Sequence, residues 1–331
     1  MTKIAVTGAG AVLGQGIIKC LKSASRDYEV LAYDPDPRSP GLYWGDKHGL
    51  LPMAKDPGFK AAVEAMLERE QPAAVLVGTD VELEIFAENR ADWEKRFDTH
   101  IIVSSPEIIR IADDKLLTAR WLEENGLPFP KSVAGEDDAA VDALAAEIGF
   151  PLIVKPRIGA RAVGVSMVNN RAELDAALEG REGLVVQQWA GSDDQEYTAG
   201  ALCFDGEVKA SIVLRRDLRD GNTFRAYADE YPECEEYVRS LAKALQPYGP
   251  ANFQFRRGPD GVFRLFEINA RYSGTTPMRG LLGFNEVDMV LGKLLFGEEI
   301  TQPPLQTGTV VRFLEEQLLP ANYGNVTQGA S

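Results

Sequence analysis

The chain has 331 residues, 45% of them hydrophobic, with 35 Lys and Arg against 50 Asp and Glu and a formal net charge of -15. That length allows two or three packed units around a sizeable core. The negative balance repels nucleic acid and anionic membrane over most of the surface, so any phosphate-binding patch has to be local and made against the average charge. Cys20, Cys203 and Cys234 are scattered, with no CxxC pair and only His48 and His100 as histidines, which supports neither zinc nor a disulfide framework. No apolar run approaches the roughly 18 residues of a membrane span, and no basic-then-apolar leader precedes the first strand-like run. A cytoplasmic enzyme is the expectation.

In chain order, strand-like runs at residues 3–7, 29–33, 74–78 and 101–104 alternate with amphipathic stretches at about 12–25 and 58–70. This predicts a parallel α/β domain over residues 1–112. A helix at about 114–125 is stopped by Gly126 and by Pro128 and Pro130. Strands at 152–155, 165–168 and 184–188 with a helix at 171–178 make a second, small unit over residues 113–190. Beyond it, runs at 197–204 and 208–214 flank Asp205-Gly206, and runs at 253–256 and 262–269 flank Gly258-Pro259-Asp260-Gly261. Two antiparallel hairpins are therefore predicted in an α+β unit over residues 191–331.

Between the first strand and helix, Gly8-Ala9-Gly10-Ala11-Val12-Leu13-Gly14 leaves backbone N–H groups at a helix N-terminus, and Asp34 ends the second strand where a ribose-binding acid would fall. An NAD(P)-dependent oxidoreductase would rest on these residues. The spacing is GxGxxxG rather than GxGxxG, and a structural turn lining a substrate pocket is the alternative.

The stronger signal is an ordered set spread over the later chain. Lys155 ends a buried-strand run and is followed by a basic, glycine-bearing loop from Arg157 through Gly159 and Arg161 to Gly164, which can close over a triphosphate. In Phe266-Glu267-Ile268-Asn269, Glu267 and Asn269 share a strand face by the period of two. If Arg257 pairs with Val262 across the turn, Gln254 lies opposite Leu265 and shares that face, and three oxygen donors there suit Mg²⁺. Asn252 has the same parity, so it and Gln254 both remain open. Arg271 reaches the same edge, where its planar fork suits a phosphoryl group in flight. Ser273-Gly274-Thr275-Thr276 then opens a helical segment that could receive an acyl phosphate.

With Lys115 after Asp113-Asp114, the NGLPFP stretch, Gln187-Gln188-Trp189 and Glu196-Tyr197-Thr198, this set resembles the ATP-grasp superfamily over nearly the whole chain. The nearest likeness is to its carbamoyl-phosphate synthase large-subunit-like branch. The resemblance implies an ATP-grasp fold with an N-terminal Rossmann-like pre-ATP-grasp domain, and ATP with Mg²⁺ or Mn²⁺ as cofactors. It implies that Lys115 and Lys155 hold the ATP phosphates under a lid spanning Arg157 to Gly164. Main-chain groups near Gln188 and Trp189 would contact adenine and Glu196 the ribose or adenine edge. Gln254, Glu267 and Asn269 match the metal positions and Arg271 the phosphate-binding arginine. Members often carry an acid where this chain has Gln187-Gln188.

The implied reaction activates a small carboxylate as an acyl phosphate, releasing ADP, and passes the acyl group to an amine. A phosphotransferase that stops at the acyl or carbamoyl phosphate is the narrower rival, and a silent nucleotide-binding protein the bland one. The chain is too short for the two ATP-grasp units of a complete carbamoyl-phosphate synthase. Substrate residues are sought between domains: Asp80 and Glu82 for a cationic group, Thr275 and Thr276 at the loop, and Arg216, Arg225 and Arg279 for a carboxylate, with helix capping and surface ion pairs as the alternatives. The expected partners are small molecules, with neither nucleic acid nor membrane, and the family likeness adds a homodimer.

Overall fold

A computed structural model describes residues 1–159, 162–319, 321, 323 and 324. The alternating first third folds as five parallel strands, β1 (Thr2–Val6), β2 (Tyr28–Asp34), β3 (Lys47–Leu50), β4 (Ala74–Leu76) and β5 (His100–Ile102), in the order β3-β2-β1-β4-β5. Helices α1 (Val12–Lys22), α2 (Phe59–Glu70) and α3 (Leu83–Phe97) connect them, and α4 (Pro106–Asp113) and α5 (Lys115–Glu124) lead out. Both faces of the sheet are covered, which is why the consecutive residues Ile4, Ala5 and Val6 of β1 are all apolar and buried. Ala5 enters one core with Phe59, Val63, Phe86 and Trp93, while Ile4 and Val6 enter another with Ile17, Ile18 and Leu21.

A four-stranded antiparallel sheet follows, β6 (Ser132–Ala134), β7 (Leu152–Pro156), β8 (Ser166–Val168) and β9 (Leu184–Gln188), in the order β6-β9-β7-β8. Its helices α6 (Asp138–Ile148) and α7 (Arg171–Leu178) close a separate small core of Val141, Leu144, Leu152, Val154, Leu174 and Val186. Leu122 of α5 lies in the first large core instead, so by packing α5 belongs to the large unit.

The last sheet has six antiparallel strands: β10 (Glu196–Phe204), β11 (Glu207–Arg219), β12 (Asn222–Ala228), β13 (Gly249–Arg257), β14 (Phe263–Asn269) and β15 (Gly308–Val311), ordered β14-β13-β10-β11-β12-β15. The β10–β11 hairpin closes on Asp205 and Gly206, both with positive φ (57° and 75°), the conformation a two-residue turn needs to match strand twist. Helix α8 (Pro232–Leu245) covers one face, and α9 (Thr276–Leu281) and α10 (Glu286–Phe296) the other. Both large cores run through the first and last sheets, joining them into one body with the small sheet standing apart on its own core. No helix among the described residues is long and apolar enough to cross a membrane.

The GxGxxxG turn is packed from outside by the loop after β2. A Cβ on Gly41 would stand 1.8 Å from the Ala9 carbonyl oxygen, and one on Gly10 would stand 2.2 Å from Ser39 Oγ. Gly41→Ala is therefore expected to cost about 1–3 kcal/mol, the usual range for overpacking, read as a lowered urea midpoint.

Candidate functional site

The four-stranded sheet and the β13–β14 edge of the six-stranded one face each other across a cleft of about 550 Å³, within the usual range for small-molecule sites. Ile153, Trp189 and Phe266 give it an apolar wall. Lys155 at the end of β7 is 5% exposed, and its Nζ donates to Gln187 Oε1 (2.8 Å) and to the Phe266 carbonyl (3.3 Å), joining the small sheet to β14. Burial pushes this lysine down to about 7, with the neighbouring charge of Lys115 acting the same way and Glu267 opposing.

Asp114 organises the base of the β7–β8 loop. Its carboxylate caps α5 by accepting from Leu116 N (2.9 Å) and pairs with the Arg157 guanidinium, while Lys115 Nζ donates to the Gly159 carbonyl (2.8 Å). Gly159, Ala162, Val163 and Val165 line the cleft, and Gly164 turns with φ +76° behind them. Arg157 is held against Asp114 and does not line the cavity. Arg161 lies outside the described residues. Alternation along β9 turns Gln187 into the cleft, where it was passed over as a site residue, whereas Gln188 pairs outward with the Lys131 backbone.

Glu196, 2% exposed, accepts from both Arg216 and Arg256: Oε1 takes Arg216 Nε at 2.9 Å and Oε2 takes Arg256 Nε at 2.8 Å. Arg216 continues to Gln254 Oε1 (2.6 Å), and Gln254 Nε2 donates to Glu267 Oε1 (3.0 Å). Asn269 Nδ2 donates to the same Glu267 oxygen at 2.9 Å. One carboxylate flanked by two amides is a donor set that could hold a divalent cation completed by phosphate oxygens, provided the amides turn their oxygens inward. Among the described residues, no three His, Cys, Asp or Glu side chains gather as a metal cluster, so phosphate would have to supply the remaining charge.

The strand register differs from the expected one. Arg257 pairs with Phe263 rather than Val262, because the turn closes between Gly258 N and the Val262 carbonyl, and a bulge between Gln254 and Phe255 shifts the ladder once more. Gln254 thus stands opposite Glu267, not Leu265. Two one-residue shifts restore the parity, so Gln254 still faces Glu267. Asn252, opposite Asn269, is drawn into a buried network with Thr198 and Arg279.

Arg271 lines the cleft with its guanidinium fixed by Asp80 (2.7 Å), the Asn269 side chain (2.8 Å) and the Tyr272 carbonyl (2.9 Å). Asp80 is therefore spent on a cation of the chain itself. Thr275 lines the cleft beside Ser273, but Glu82, Thr276, Arg225 and Arg279 do not. Glu82 is buried against Thr7, where burial, with the charge of Asp34 adding, pushes its carboxyl up to about 7. Thr276 and Arg279 both bond Glu286. Asp34 accepts from Gly10 N (2.7 Å) and Ser39 Oγ (2.7 Å), so the supposed ribose acid and a turn N–H satisfy each other.

Arg279 and Glu286 are 1% and 0% exposed and bonded at 3.1 and 3.3 Å, so removing one leaves the other as an unpaired buried charge. Arg279→Ala is expected to lower stability by about 3–5 kcal/mol in chemical denaturation.

Three family profiles match successive parts of the chain: a PylC-like N-terminal domain over residues 4–102, an ATP-grasp domain over 112–250, and an ATP-grasp domain of the biosynthetic pathway with the Ter operon over 184–317. None of the three is a carbamoyl-phosphate synthase profile, so that branch is a looser fit than the motifs implied. Among solved structures, N5-carboxyaminoimidazole synthetase from Staphylococcus aureus is similar with TM-score 0.71 at 16% identity, over 92% of this chain and 80% of that one. The biotin carboxylase domain of Hydrogenobacter thermophilus 2-oxoglutarate carboxylase, solved as a dimer with MgADP and bicarbonate, gives 0.71 at 18% identity over 93% and 73%. L-amino acid ligase from Bacillus licheniformis gives 0.68 at 19% identity over 89% and 74%. With the fold shared by these structures and two ATP-grasp profiles together covering residues 112–317, the chain belongs to the ATP-grasp superfamily.

Proposed function

We propose that this protein uses ATP to activate a small carboxylate as an acyl phosphate and transfers the acyl group to an amine, releasing ADP and phosphate. The observation that carries the reading is the bond from Lys155 to the carbonyl preceding Glu267. It sets a buried lysine from one wall beside the oxygen donors of the other, inside a single cleft. Phosphates between them would meet cation on one side and a metal-binding carboxylate on the other. The similar biotin carboxylase domain was solved with MgADP and the similar N5-carboxyaminoimidazole synthetase also with ADP, which fits nucleotide chemistry in such a cleft.

In this scheme Lys115 and Lys155 neutralise the ATP phosphates, and the wall of Ile153, Trp189 and Phe266 takes the base. Glu267, with the amide oxygens of Gln254 and Asn269, would hold Mg²⁺, which when bound neutralises phosphate charge. A substrate carboxylate oxygen bonds to the γ-phosphorus as the bond to ADP breaks. Amine nitrogen then bonds to the acyl carbon, phosphate departs with the bonding pair, and the amine loses a proton. Arg271, held by Asp80 and the Tyr272 carbonyl, presents its guanidinium to the transferring group. Nothing in this scheme asks covalent chemistry of the protein, so its rate depends on these fixed positions.

Lys155→Ala is expected to abolish the thermal stabilisation by Mg-ADP, which at one hundred times Kd amounts to about 2.7 kcal/mol. A shift with NADP and none with Mg-ADP would overturn the reading. Glu267→Ala should lower turnover at least a hundredfold in an ADP-release assay while the fold is kept, since phosphoryl transfer would lose its cation seat. The charged lysine is the phosphate-binding form, and its free-protein value is about 7. Below pH 7 it is already protonated; above, binding must draw in a proton. Nucleotide affinity should therefore fall as pH rises from 7 to 9, by at most about tenfold per unit, and Lys155→Ala should flatten the profile.

A further inference from the structure

Among the described residues lining the cleft stand six cationic side chains and three carboxylates, in a chain whose formal charge is -15. Arg216 and Arg256 are paired with Glu196, and Arg271 with Asp80. Lys115, Lys155 and Arg312 have no carboxylate partner among the described residues. The two lysines meet where the proposed nucleotide lies. Arg312 stands elsewhere, on the segment leaving β15, and its guanidinium donates to the Gly274 carbonyl, eight residues along the chain from the Phe266 carbonyl that holds Lys155. Between those two carbonyls the chain carries Glu267, Asn269 and Arg271, and all of these line the same cleft. Near Arg312 the Ser273–Thr275 loop meets the glycine turn: a Cβ on Gly274 would stand 3.4 Å from Val12 Cγ1 and 4.0 Å from Arg312 Nη2, and Ser273, Thr275, Gly10, Ala11 and Leu13 line the same cleft. Half-burial pushes this guanidinium below its ordinary range, with no acid beside it to compensate. A desolvated cation without a counter-charge is costly, and an incoming oxyanion that accepts its forked N–H groups offsets the cost.

We propose that Arg312 docks an oxyanion of the acid substrate, a carboxylate or phosphate group separate from the ATP phosphates, seated between the Ser273–Thr275 loop and the N-terminal glycine turn. The substrate class is then a small acid carrying an anionic handle whose body lies over Gly10 to Leu13. This rests on the ATP-ligase reading, and the experiment separates the two.

The full chain is saturated with the non-hydrolysable Mg-AMP-PNP, so that the nucleotide phosphate seat is filled, and titrated with succinate, with inorganic phosphate and with neutral succinamide. Binding is read by calorimetry for wild type, Arg312→Lys and Arg312→Gln. The expected result is binding of succinate or phosphate but not succinamide, weakened at least tenfold in Arg312→Gln and only a few-fold in Arg312→Lys, with AMP-PNP affinity unchanged within twofold. The stronger of the two anions identifies the handle as carboxylate or phosphate. Equal anion affinity in wild type and Arg312→Gln, or no preference for the anions over succinamide in wild type, would overturn the assignment while leaving the ligase reading intact. Failure of wild type to bind AMP-PNP would instead remove the reading beneath it. Arg312→Lys keeps the charge and serves as the folded comparison if Arg312→Gln is unstable.

Discussion

Glu196 is the point on which the cleft is built. It is a buried carboxylate at the start of the central strand β10, and each of its oxygens is held by an arginine. Buried ion pairs gain little net stability over apolar contacts, but removing either partner is costly, so such a group fixes geometry more than it adds energy. Here the geometry is passed on. Arg216, oriented by Glu196, takes the oxygen of Gln254 and thereby turns its nitrogen toward Glu267. The carboxylate best placed to hold a metal thus inherits its position from a residue across two strands. On the neighbouring edge, Asp80 does the same for Arg271 from the opposite domain.

Packing divides the molecule so that this frame has something to act against. The first and last sheets share two continuous cores and behave as one body, whereas the four-stranded sheet closes on its own small core. Lys155 and the β7–β8 loop ride on the smaller unit, and the Glu267–Asn269 edge on the larger. Polar bonds such as the one from Lys155 to the Phe266 carbonyl cross between them. A nucleotide bound in the cleft would bridge two bodies whose cores do not merge, which is the arrangement in which a ligand can alter their separation without unpacking either.

The fold class, the main hairpins and the common face of Glu267 and Asn269 were legible because strand alternation and turn chemistry are local. Even an incorrect turn length left Gln254 on the right side, since the longer turn and the bulge cancelled in parity. Helix α3 was not legible: its buried Leu83, Phe86, Ala87 and Trp93 are diluted by charged residues, so its periodicity is weak outside the tertiary core. Spacing also could not show how side chains are spent. Arg279 and Thr276 read as substrate residues yet face Glu286, and Asp80 reads as an acid for a ligand yet holds Arg271. Arg312 belongs to none of the motifs and was found only once the chain had folded around the cleft.

The glycine-rich N-terminus shows why composition alone pointed two ways. A dinucleotide site needs its glycines so that a pyrophosphate can approach the backbone. In this chain the approach is made by the protein: Asp34 bonds Gly10 N, Ser39 bonds Asp34, and Gly41 packs on the Ala9 carbonyl. The same small residues are required, but at Gly10 the steric demand comes from Ser39 in the loop after β2, at Gly8 from Thr79, and at Gly14 from the Gly8 carbonyl. Gly10 to Leu13 of the turn are left as wall of the cleft that Arg312 also lines. A strand–turn–helix unit that elsewhere serves a cofactor is here filled on one side, and its remaining side belongs to the same cleft that the later motifs build.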